Sequence, residues 1–150
     1  MEKKRILVID DDESIRKLMA HMLAREGYQV DTAASGNEAI QKTKSNFYNL
    51  AIIDIRLPDM EGTALLTLMQ DTVPKMVKII LTGYPALNSA IDAVNKGADG
   101  YTTKPIIDNA EFLRKIKEHL RKQDESNRYN EEKVAEFVES RIKQLDAKDV

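Results

Sequence analysis

The chain of 150 residues contains no cysteine, and phenylalanine, tyrosine and tryptophan together make up only 5% of it. Without cysteine there is no disulfide framework and no thiolate chemistry, which fits a reducing cytoplasm. An excess of one charge is also lacking: 23 Lys and Arg stand against 25 Asp and Glu, for a formal net charge of -2. Nucleic-acid surfaces need clustered Lys and Arg, often interleaved with aromatics, and neither pattern is present. No long apolar run exists. The one behind the basic start Met1 to Arg5 stops after four residues at three aspartates, so neither a signal peptide nor a membrane-spanning helix is expected. Internal repeats and low-complexity tracts are absent too.

What is present is the composition of a globular domain, 42% hydrophobic and 32% charged, with room for one core and an appendage. Short apolar runs alternate with helical periodicity. Arg5 to Asp10 reads as a first strand, and Asp12, Glu13 and Ser14 suit the start of a helix carrying Ile15, Leu18, Met19, Met22 and Leu23, stopped by Gly27. Gln29 to Ala33 follows as a strand, and Ser35 can cap a helix with Ala39, Ile40 and Thr43. A third strand over Tyr48 to Ile55 precedes a helix marked by Leu65, Leu66, Leu68 and Met69. Val77 to Leu81 leads to a helix beginning near Pro85, and Gly100 to Lys104 to one carrying Ala110, Leu113, Ile116 and Leu120. Five strand-then-helix units in strict alternation predict an α/β fold: a parallel sheet with helices on both faces, joined by right-handed crossovers. The spatial order of the strands does not follow from this pattern.

Each of four apolar runs ends in a reactive polar side chain. Ile6 to Ile9 ends in Asp10 and Asp11, Leu50 to Ile53 in Asp54, Ile79 to Leu81 in Thr82, and Tyr101 to Thr103 in Lys104. In an open parallel sheet these ends share one edge, where such folds bind ligands. Singly, each residue has an ordinary explanation: a helix cap, a turn residue before Gly83, a surface lysine. Together they argue for chemistry. Two carboxylates about 5 Å apart repel by roughly 3 kcal/mol at an effective dielectric of about 20, so something cationic belongs among them. Carboxylates without His or Cys suit a hard divalent ion such as Mg²⁺. Lys104 adds a fixed positive charge and Thr82 a hydroxyl for a phosphoryl oxygen, parts that suit phosphoryl transfer onto Asp54.

The segments Ile6-Leu-Val-Ile-Asp10-Asp11-Asp12, Asp54-Ile-Arg-Leu-Pro58-Asp-Met-Glu-Gly62, Leu81-Thr82-Gly83-Tyr84 and Gly97-Ala-Asp-Gly-Tyr101-Thr-Thr-Lys104-Pro105 resemble, in order and spacing, the receiver domain of two-component response regulators. The resemblance covers about Lys3 to Lys122. It implies a doubly wound, flavodoxin-like sheet of strand order 2-1-3-4-5. Asp54 would take a phosphoryl group from a sensor histidine kinase or phosphotransfer protein. Mg²⁺ would be held by Asp11, Asp54 and the Arg56 carbonyl, with Asp10 acting through water. By the same resemblance Lys104 would contact the phosphoryl group, Thr82 and Tyr101 would form the switch, Arg56 and Tyr84 would tune the acyl-phosphate lifetime, and Lys104–Pro105 would be a cis peptide. Activity would be limited to self-directed phosphotransfer and slow autodephosphorylation, which is not that of an enzyme acting on others.

The expected division is a receiver domain over residues 1–122 and a polar linker with an amphipathic helix over 123–150. Gln123 to Asn130 contains no aliphatic residue and reads as a linker or frayed helix end, after which Asn130 can cap a last helix with Val134, Phe137, Val138, Ile142 and Leu145 on one stripe. That stripe is too short to hold an isolated helix, and packing on its own domain, solvent, or a partner such as a second copy all remain open for it. Two other functions compete. The chain can be the receiver half of a longer regulator, or a phosphohydrolase with an aspartate nucleophile. Haloacid dehalogenase-type enzymes of that kind want a second aspartate two residues after the nucleophile, and Arg56 stands there.

Overall fold

The computed structural model describes residues 2–83 and 86–148. Its strands are β1 (Arg5–Ile9), β2 (Gln29–Ala33), β3 (Leu50–Ile53), β4 (Val77–Thr82) and β5 (Gly100–Thr103), and its helices α1 (Glu13–Arg25), α2 (Gly36–Ser45), α3 (Gly62–Leu68), α4 (Leu87–Asn95) and α5 (Asn109–Lys148). All strand pairs are parallel, in the order β2-β1-β3-β4-β5. This is the doubly wound sheet that the alternation and the receiver resemblance imply. Pro85, where the fourth helix was expected to begin, lies outside the described residues.

The central strands are mostly apolar because both faces are covered, with Lys78 of β4 buried and donating to the Leu66 carbonyl. Side chains of period two divide between two cores. Ile6, Val8, Leu50, Ile52, Ile79 and Leu81 pack with Met19 and Leu23 of α1 and Phe112, Ile116 and Leu120 of α5. Leu7, Ile9, Ala51, Ile53 and Ile80 face Ala39 of α2, Leu65 and Leu66 of α3, and Ala93 of α4. Helix starts follow local capping. Asp12 accepts from the Ser14 and Ile15 amides, and Ser35 from the Glu38 amide. Gly27, at φ +93°, takes the left-handed conformation that closes α1.

The expected linker is not there. One helix of 40 residues runs from Asn109 to Lys148, straight through Gln123 to Asn130, and Asn130 caps nothing. Polarity at 123–130 marks not a break but a helix leaving the sheet's cover. Gln123 itself is buried: its amide nitrogen donates to the carbonyls of Asn49 at 2.9 Å and Lys75 at 2.8 Å, and its oxygen accepts from the Asn49 side chain at 3.2 Å. Lys4 pairs with Asp124 one residue further on. The third strand is also shorter than its apolar run. Tyr48 is buried outside the ladder, its hydroxyl donating to Asp31 at 2.6 Å.

Candidate functional site: an acidic corner at the carboxyl edge of the sheet

The strand order reverses between β1's neighbours, and at such a point the two flanking crossovers diverge and leave a crevice. Register then aligns the polar strand ends. Ile9 pairs with Ile53, so Asp10 and Asp54 emerge side by side. Thr82 pairs with Thr103, so Lys104 emerges just beyond them. Backbone bonds pin each end: the Asp10 amide donates to Ala33 O at 3.1 Å, Asp54 to Ile9 O at 2.9 Å, and Lys104 to Thr82 O at 2.7 Å.

Lys104 Nζ lies 2.5 Å from Asp10 Oδ2 and 3.3 Å from Asp54 Oδ2, bridging the two carboxylates. Their side chains are only 4% and 10% exposed, so this charge cluster is poorly solvated. Burial pushes the Asp54 carboxyl above its ordinary range, with Asp10 adding to the rise and Lys104 opposing it. At Lys104 burial works against the charge, yet the hydrogen bond to Asp10 and the fields of both aspartates prevail and raise it. Asp10 Oδ1 accepts the Asp12 amide at 2.9 Å, and Arg16 Nη1 donates to the Asp10 carbonyl at 2.8 Å.

One carboxylate oxygen each from Asp10, Asp11 and Asp54 can be drawn from within 4.8 Å of the others, with Asp11 exposed at the mouth. Three hard oxygen donors in reach of one point, two of them buried and sharing Lys104, fit a divalent cation of the hard class. Thr82 is fully buried at the end of β4. Tyr101 packs against the core cluster beneath α2, α3 and α4, and its buried hydroxyl has no hydrogen-bond partner among the described residues. Arg56 is exposed, and its amide approaches Asp54 Oδ1 at 3.4 Å. The Lys104–Pro105 peptide is cis. Tyr84 lies outside the described residues.

Two contacts of the loop after Asp54 were not legible in sequence, although both residues lie in the motif that begins at Asp54. Asp59 accepts from the Gly36 amide at 2.9 Å and the Asn37 amide at 2.8 Å, so the loop after Asp54 is moored to the N-terminus of α2. Its partners lie 22 and 23 residues away in the chain, and only the fold brings them near. Gly62 donates to Ile55 O at 2.5 Å, and a Cβ on it would collide with the Asp54 carbonyl, so no larger residue fits beneath the site.

Fold and site together define a flavodoxin-like signalling module with its reactive corner at the switch point of the sheet. The response regulator receiver domain family matches residues 6–117, and the chain belongs to that family. It is a receiver domain, the switch of two-component signalling. A CheY-like receiver domain protein from Methanospirillum hungatei superposes with a TM-score of 0.79 at 43% identity, over 83% of this chain and 99% of that one. The beryllofluoride-activated NtrC4 receiver domain dimer gives 0.73 at 34% identity, over 79% and 98%. A Burkholderia pseudomallei response regulator, solved with a phosphorylated aspartic acid and a calcium ion, gives 0.66 at 31% identity, over 74% and 65%. The transcriptional regulator NtrC of Proteus hauseri is 31% identical over 95% of this chain, which spans 30% of that protein. The chain spans about a quarter to a half of the length of the curated relatives it matches. No described helix is long and apolar enough to cross a membrane.

Proposed function

We propose that the domain accepts a phosphoryl group on Asp54 from the phosphohistidine of a sensor kinase or phosphotransfer protein. The observation that carries this reading is the bridging of buried Asp10 and Asp54 by Lys104 from a third strand. A carboxylate oxygen of Asp54 attacks phosphorus, the P–N bond breaks, the imidazole leaves, and an acyl phosphate remains. Mg²⁺, held by Asp11, Asp54 and the Arg56 carbonyl with Asp10 acting through water, would neutralise charge on the phosphoryl oxygens. Lys104 moves from carboxylate partner to phosphoryl partner, and the Thr82 hydroxyl binds a further oxygen. Positioning and charge stabilisation supply the catalysis. Water later hydrolyses the acyl phosphate, with Arg56 and Tyr84 setting its lifetime.

Phosphorylation adds about -1.5 to -2 charge at the site. Thr82 drawn to it and Tyr101 held inward would shift the populations of the α4-β5-α5 surface. The domain then acts through partners, in the cytoplasm, and not by turning over an external substrate. A second reading, the receiver portion of a longer transcriptional regulator with α5 as a dimerising connector, is favoured by the 30% of NtrC that the chain spans. The test is labelling by a phosphorylated donor with Mg²⁺: label should appear on wild type and vanish in Asp54→Asn. Label persisting in Asp54→Asn refutes the assignment.

A further inference from the structure

The last part of α5 leaves the domain with an apolar stripe that nothing covers. After the Lys4–Asp124 pair, none of its hydrogen bonds or ion pairs reaches another element among the described residues. Val134, Phe137, Val138, Ile142 and Leu145 are each at least 48% exposed. They recur at helical spacing on one face, with Arg141 in their midst. Arg141 has a weak bond to Gln144, at 3.4 Å, as its recorded partner.

We propose that this stripe is a seam for a second copy of the same helix, laid antiparallel about the Glu139–Ser140 peptide. The reading deepens the homodimer named above by giving it a surface, an orientation and a register. The stripe is symmetric about that point: Val134 and Leu145 are equidistant from it, as are Phe137 and Ile142, and Val138 and Arg141. Antiparallel helices related by a perpendicular two-fold bring same-side positions together. Val134 then meets Leu145 of the other copy, Ile142 meets Val138, and the Arg141 guanidinium lies along the Phe137 ring, a cation–π contact that accounts for an arginine within an apolar stripe. Parallel, in-register pairing would instead place Arg141 against Arg141 in the seam, with no acid between them. Glu139 and Lys143 pair with each other at 3.7 Å on the outer face and leave the seam free of their charges.

The absence of native cysteine makes the register directly testable in the full chain. Val134→Cys and Leu145→Cys chains, distinguished by a tag, are oxidised separately and mixed. Antiparallel pairing predicts disulfide dimers in the mixture and little in either variant alone, because like positions would be about 16 Å apart and a disulfide spans at most about 7 Å between Cα atoms. Sedimentation should show a concentration-dependent dimer that Val138→Lys weakens about tenfold or more, since it sets a second cation level with Arg141 of the other copy in the seam. Self-linking of each single variant, a chain monomeric at all concentrations, or a dimer that survives Val138→Lys each overturns the proposal. Circular dichroism verifies the helix in every variant. Asp54 labelling of the same variants tests phosphorylation separately, so either reading can fail without the other.

Discussion

Replacing Asp54 with asparagine removes the proposed phosphoacceptor and should nevertheless stabilise the metal-free protein. At an effective dielectric of about 20, Lys104 at 3.3 Å attracts the Asp54 carboxylate by about 5 kcal/mol. Asp10, within 4.8 Å, repels it by about 3.5 kcal/mol, and Asp11, exposed and screened, by about 1 kcal/mol. These terms nearly cancel, leaving the desolvation of a side chain only 10% exposed, which costs several kcal/mol per buried ion. Asparagine keeps the shape and sheds most of that cost. A gain of about 1–2 kcal/mol follows, or a melting temperature higher by about 3–6 °C for a domain of this size. The sign agrees with the raised Asp54 carboxyl. An acid whose folded value is raised opposes folding when ionised, so wild type in EDTA should gain stability as pH falls through that raised value toward the ordinary 3.8, and the variant should lack this gain. With Mg²⁺ at about 100 times its dissociation constant, wild type gains about 2.7 kcal/mol and the ranking reverses. Thermal unfolding monitored by circular dichroism, in EDTA and in Mg²⁺, reads both effects. A variant that melts below wild type in EDTA refutes the electrostatic argument, and equal Mg²⁺ shifts in both proteins refute the metal's place beside Asp54.

Lys104→Met should cost about 3–5 kcal/mol in EDTA, because it strands two buried carboxylates, and Mg²⁺ should restore part of the loss; urea midpoints with and without the ion measure it. Gly62→Ala drives a Cβ into the Asp54 carbonyl, where backbone has little room to yield, and should cost about 2–3 kcal/mol by the same assay. Gln123→Ala removes the side-chain donor to the Lys75 carbonyl and the acceptor of the Asn49 side chain, while the Asn49 carbonyl keeps the Val77 amide, and should cost about 1–3 kcal/mol, with faster amide exchange where α5 leaves the sheet. If 123–130 were a linker, that substitution would be silent.

The sheet and its reactive edge were legible because they rest on local signals. A run such as Leu50 to Ile53 followed by Asp54 states both burial and an exit from burial within five residues. Four such runs with helical stretches between them leave few arrangements, though strand order had to come from the receiver resemblance. What escaped was set by tertiary partners. Gln123 reads as polar linker because its partners, Asn49 and Lys75, sit at distant points of the chain. Asp59 reads as one more acid in a turn because the two amides it accepts become available only when α2 begins beside it. The length of α5 was hidden for a related reason. The helix loses its apolar periodicity where it leaves the sheet, and periodicity reports burial rather than helicity.

The two edges of the sheet carry opposite kinds of polar group, and that contrast bears on how a switch can work. At the amino edge the strand ends are tied by hydrogen bonds: the Arg5 amide donates to the Asn49 side chain at 2.9 Å, and Gln123 ties β3 and the approach to β4 to α5. At the carboxyl edge, Lys104 stands against the buried carboxylates of Asp10 and Asp54, with Asp11 adding a third negative charge at the mouth, and burial outweighs the pull of Lys104 to raise Asp54. A perturbation of charge there acts on a lysine shared between two carboxylates, which can change partner, while the opposite edge resists rearrangement. Strand β5 joins the two regimes, since Lys104 follows it directly and the chain leads within a few residues into α5, whose packed portion is clamped by Gln123. A charge change at Asp54 therefore bears first on Lys104 and the start of α5, and the clamp confines the response to that end of the domain unless the helix moves as a whole.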